Sequence, residues 1–96
     1  MNDLFNRQAV VMHRLIADYR SAKLDLHVLI QCLEGITAVI NLDVWRDAIF
    51  PIVLEMEQVN VVAVDKKKYL SEANKILIES SMYQLEMLIE RFEKMV

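Results

Sequence analysis

Arg7 and His13, with five residues between them, are the pair in this chain best suited to act on a phosphate. An imidazole can pass a proton as acid or base, and a guanidinium can hold developing phosphate charge. On a helix turning ~100° per residue the two side chains point ~120° apart. Two solvent-facing residues on the polar side of a helix would show the same spacing. The soft metal ligands are His13, His27 and Cys32. His27 and Cys32 diverge at a five-residue step, whereas two ligands share a helix face at four. A metal would need the fold to gather them with a carboxylate such as Asp18, so two ordinary histidines, an inert thiol and no metal or cofactor are expected.

Carboxylates pair four apart at Asp43/Asp47 and at Glu86/Glu90. Such pairs can raise a pKa or hold a metal, but di-metal bundles need a Glu-x-x-His motif, and neither histidine follows a glutamate by three. A solvated face or recognition of a basic partner accounts for them more simply. No spacing suggests a Ser/His/Asp or Cys/His nucleophile, and the single glycine cannot build a phosphate-cradling loop. No catalytic residue is assigned, and the chain reads as a binding protein, not an enzyme.

The elements that must position these groups are helical. The 96 residues make one domain, 1–96, 55% hydrophobic and 26% charged, enough for one core. Apolar periodicity near 3.6 predicts helices over 3–20, 24–41, 43–65 and 71–95. Their stripes are Leu4, Phe5, Val11, Met12, Leu15, Ile16 and Tyr19 in the first, and Leu26, Leu29, Ile30, Leu33, Ile36, Thr37 and Ile40 in the second. The third carries Trp45, Ile49, Ile52, Val53, Met56, Val59 and Ala63, in phase across Pro51, which predicts a kinked helix. The fourth carries Leu70, Leu77, Ile78, Leu85, Leu88, Phe92 and Met95. Asp25 favours the start of the second helix, Asp43 is the expected N-cap of the third, and Ser71 that of the fourth. Short connections make neighbours antiparallel, giving an all-α, compact up-down four-helix bundle. The third helix is also apolar on its back, at Phe50, Leu54, Val61, Val62 and Val64. That back is expected to lie in the core of a central helix, with a homodimer through the third helix as the alternative.

Charge narrows the partners. With 14 acids against 11 bases the formal charge is −3, unlike the basic face that nucleic acid requires. Lys66-Lys67-Lys68 reads as a solvated turn. No apolar run approaches the ~18–20 residues of a membrane span, MNDLFNRQ lacks a signal-peptide layout, and one cysteine suits a reducing compartment. A cytoplasmic protein is expected. On the last helix Glu72, Glu79, Glu86, Glu90 and Glu93 share a face into which Ile76, Tyr83 and Met87 intrude. Acid mixed with exposed apolar groups is what a surface offers to a basic protein partner. Glu79, Tyr83, Glu86 and Glu90 are therefore the expected binding residues, with Asp43 and Asp47, beside Glu55 and Glu57, as the rival patch.

The run LIADYRSAKLDLHVLIQCLEGI, followed by VWRDAIFPIVLEMEQVNVVAVD and YLSEANKILIESSMYQLEMLI, covers most of the chain. With its tyrosine before a polar turn, Leu-Glu-Gly, Trp-Arg helix start, Glu55 and Glu57, and Glu-rich last helix, it resembles the small helical immunity proteins of bacterial contact-dependent growth inhibition and other polymorphic toxin systems. The resemblance implies a cognate inhibitor that occludes a toxin domain, a nuclease among the candidates, whose basic surface would suit acid. A self-associating structural or adaptor bundle is the alternative. The Arg7–His13 spacing also resembles that of the HEPN ribonucleases, where the pair lies at a dimer interface, usually on a late helix and not on the first as here. A ribonuclease is the third reading.

Overall fold

The computed structural model describes residues 3–66 and 71–95, with the side chains of 63–66 outside that description. Ala63, Val64, Leu70 and the Lys66-Lys67-Lys68 side chains therefore fall beyond it. Four helices form: α1 (Asp3–Arg20), α2 (Leu26–Ile40), α3 (Asp43–Lys66) and α4 (Glu72–Met95). They make an all-α, up-down bundle. Arg20, ending α1, meets Glu79 and Glu86 of α4, and Trp45, starting α3, meets Thr37 near the end of α2. Each helix packs on two neighbours, α1 on α2 and α4, α3 on α2 and α4, and among the described residues the diagonal backbones stay apart.

The ends follow from local chemistry, in places against expectation. α1 closes with Ala22 at φ 61°. The Ala22 N–H donates to the Tyr19 carbonyl at 3.0 Å and the Lys23 N–H to the Asp18 carbonyl at 2.9 Å, the pair of bonds that normally has glycine at this place. α2 begins at Leu26, two residues after the predicted start; Asp25 caps it through its backbone, with no side-chain bond. Asn41, at φ 52° and ψ 42°, ends α2 with its N–H on the Thr37 carbonyl. Asp43 is not the N-cap of α3. The Leu42 carbonyl accepts the first helical bond, from Arg46 N–H at 2.9 Å, so Asp43 falls inside the first turn, where its carboxylate takes the Arg46 guanidinium. Ser71 does cap α4, its hydroxyl accepting the Asn74 N–H at 3.1 Å.

The core follows the predicted phase with local shifts. Phe5, Ala9, Met12 and Ile16 line α1, while Leu4 and Val11 are left exposed. On α4 the buried set is Ile78, Met82, Leu85, Ile89 and Phe92, with Ser81, and Leu77 and Met95 are exposed. That set steps four and three alternately, and Leu77 lies ~100° off it. α3 continues through Pro51 as one helix, burying Trp45, Ile49, Ile52, Val53, Met56 and Val59.

The back of α3 is not core. Phe50 is 62% exposed, Leu54 40% and Val61 65%. In a ring of four helices each has two neighbours, and the one broad stripe of α3 serves both. The outer third of the helix has nothing left to touch.

Trp45, fully buried, ties the ring together at one end. Its ring lies 5.2 Å from Phe5 and 5.1 Å from Phe92, both edge-on, and its indole N–H donates to Thr37 Oγ1 at 3.1 Å. Edge contacts put the positive rim of one ring on the negative face of the next. At the other end, α3 and α4 have 24 residues each against 15 for α2, about 36 Å against 22 Å at the helical rise. The long pair outreaches its neighbours, and Val61, Val62, Ile76 and Leu77 are exposed there.

Candidate functional site: the outer face of α4

The acidic residues of α4 divide into sets according to the helix beside them. Glu79 and Glu86 face α1, where Arg20 takes both. Its Nε and Nη2 donate to Glu79 Oε1 at 3.0 and 2.6 Å, and its Nη1 to Glu86 Oε2 at 3.0 Å. Glu93 faces the same seam, 3.6 Å from His13 Nε2. The Tyr19 phenol beside them is pushed up in pKa, first by burial and then by the Glu79 carboxylate. Much of the predicted stripe is thus the polar edge of the α1–α4 contact, its charge shared with Arg20. Glu72 lies in the first turn, 3.8 Å from Lys75.

Glu90, almost in line with Glu79 along the helix, instead borders an open groove of about 730 Å³ between α3 and α4. The floor is Ala48, Pro51, Ile52 and Leu88; Tyr83, Gln84 and Met87 form the α4 wall, and Glu55, Glu90, Arg91 and Lys94 supply charge of both signs. Tyr83 is 62% exposed and Met87 51%. Pro51 and Ala48 offer little bulk, which leaves the floor low between two helices. Glu55 is anchored from behind by the buried Ser81, whose hydroxyl donates to Oε1 at 2.6 Å.

Of the expected binding residues, Tyr83 and Glu90 share this groove, while Glu79 and Glu86, toward α1, are taken by Arg20. Asp43 and Asp47 are exposed at the start of α3 and do not line the groove. Of their rival companions, Glu55 is in the groove and Glu57 faces α2. There it meets Glu34, whose carboxyl is held above the usual carboxylate range, first by its hydrogen bond to Glu57, then by burial and by the Glu57 charge. Pro51, Met87, Arg91 and Lys94 were not singled out for the site from sequence. Helical phase alone places Met87 and Lys94 beside Tyr83, but the Pro51 side of the groove exists only once α3 packs on α4.

Among the described residues no three His, Cys, Asp or Glu side chains gather to hold a metal. His13 is engaged toward Glu93, Arg7 is exposed elsewhere on α1, and His27 and Cys32 stay on α2. No described helix is long and apolar enough to cross a membrane. Neither a protein-family model, a curated protein nor a solved structure matches this chain.

Proposed function

We propose that this protein is a non-enzymatic, immunity-type inhibitor that binds a cognate toxin domain and neutralises it by occlusion. The observation that supports this reading is the exposed Tyr83–Met87 surface of α4, bordered by the groove and by ionised groups. Large apolar side chains left in water and ringed by charge are the makings of a protein interface. Tyr83 serves as the anchor, because tyrosine gives a wide contact with few rotamers to immobilise. Glu90 is the complement to a basic partner. Glu79 and Glu86 add a weaker field, since Arg20 offsets part of their charge.

The test is whether this chain binds, and protects cells from, a toxin domain encoded beside it. Tyr83→Ala is expected to raise the dissociation constant through a faster off-rate, by ~2 kcal/mol or more. Glu90→Lys is expected to slow association, most at low salt. Both chains should keep the wild-type melting temperature. Protection that survives both changes would move the interface off α4, with Asp43, Asp47 and the exposed α3 face next to be examined.

A further inference from the structure

α4 carries a second heptad stripe on the side away from the core. Ile76, Ser80, Tyr83, Met87, Glu90 and Lys94 step four and three alternately, and all six are exposed. That spacing is the seam of a two-stranded helix pair. We propose that a second copy of this chain covers the stripe, antiparallel, about a two-fold axis at the level of Leu85.

Charge complementarity singles out this occupant. In that register Tyr83 of each copy lies on Met87 of its mate, a sulfur–aromatic contact made twice. Ser80 lies against Glu90, a hydroxyl donor against a carboxylate. Ile76 receives the alkyl stem of Lys94, whose ammonium then lands between Glu72 and Glu79, which lie about one turn to either side of Ile76. Acid at the start of the stripe and base at its end oppose each other only when the helices run antiparallel. On one flank Glu86 approaches its own mate near the axis and Glu79 approaches Glu93; Glu79 and Glu86 arrive with Arg20 bound, and Glu93 beside His13.

The exposed face of α3 fails the same comparison. Phe50, Leu54 and Val61 share a stripe with Asp43, Asp47 and Glu57, and the nearby Arg46 is held by Asp43. Two copies joined there, Phe50 on Leu54, would set Asp47 against Glu57, and among the described residues neither carries a bound cation as Glu86 carries Arg20. The α4 pairing stands independently of the toxin-inhibitor reading. It uses the same surface, so a second copy and a toxin domain would compete.

Sedimentation equilibrium of the full chain, from low micromolar to near-millimolar concentration, tests the pairing. A reversible monomer–dimer equilibrium is expected. Met87→Glu should raise its dissociation constant at least about tenfold, the scale of a lost interface anchor. Lys94→Glu should weaken the dimer, and Glu72→Lys added to it should restore much of the loss. Val61→Glu, on α3, should leave it unchanged. Ser80→Asp, which sets acid against Glu90 of the mate on an already exposed surface, gives the same reading should Met87→Glu lose helicity. A chain monomeric at every concentration overturns the proposal. So does a dimer that survives both Met87→Glu and Ser80→Asp, or one broken by Val61→Glu.

Discussion

The Glu34 carboxyl is held above the usual carboxylate range, first by hydrogen bonding toward Glu57 across the α2–α3 seam, then by burial and by the Glu57 charge. The folded chain therefore holds a proton on Glu34 at pH values where the unfolded chain has released it. Stability from this contact is complete below the ordinary glutamate range and is lost as pH rises through the raised pKa of Glu34. Glu34→Gln keeps a donor for Glu57 and removes the titration. Its expected effect is a higher melting temperature at neutral pH and a flatter melting profile across the mildly acidic range. A profile identical to wild type would show that the two carboxylates part freely. Nothing in the spacing of Glu34 and Glu57 announces this contact, because it depends on how two helices are set against each other. The same is true of Arg20, which no spacing singles out and which spans Glu79 and Glu86.

At the scale of elements, the least favourable link is the α1–α2 turn. Ala22 holds a left-handed conformation that brings its Cβ too close to the following carbonyl. Ala22→Gly should stabilise the protein by about 0.5–1 kcal/mol, the relief of that strain less the extra freedom of glycine in the unfolded chain. Thermal melting should move up by a few degrees; a lower melting temperature would mean that the turn costs nothing as it stands. The break itself was legible at Ser21-Ala22-Lys23, although no glycine marked it. Pro51 shows the opposite balance. One lost hydrogen bond did not end α3, since the apolar stripe stays in phase on both sides and its burial holds the helix together. The cap at Leu42 was not legible. Asp43 is the better capping residue by type, yet its carboxylate is taken by Arg46 and the cap falls on Leu42.

The whole molecule depends on the aromatic contact among Phe5, Trp45 and Phe92, where three helices touch and the fourth supplies Thr37. Trp45→Ala should cost ~3–5 kcal/mol, a large part of the ~5–15 kcal/mol expected of a small domain. Denaturant unfolding should show the midpoint falling steeply, and a shift no larger than that of Tyr83→Ala would contradict the central place given to this residue. Tyr83 is the useful comparison, being another large aromatic side chain but standing in water.

The four helices, their antiparallel order and the general direction of their inner faces were settled by sequence, because side chains recurring every three and four residues must share a face and short connections leave neighbours side by side. The edges of those faces were not, Met82 and Ile89 being buried where Leu77 and Met95 were expected. Ile78, Leu85 and Phe92 needed no structure to be placed inside, nor Tyr83 and Glu90 outside. What tertiary structure decided is how the remaining faces are used. Periodicity states that Phe50, Leu54 and Val61 lie together, but not whether a third neighbour covers them; the ring gives α3 only two. It likewise groups Glu79, Glu86 and Glu90 on one side of α4. The positions of α1 and α3 then hand the first two to Arg20 and the third to the groove. A helix specifies its own faces through bonds between near residues, whereas the partner of each face depends on contacts between residues distant in the chain, which no local spacing encodes.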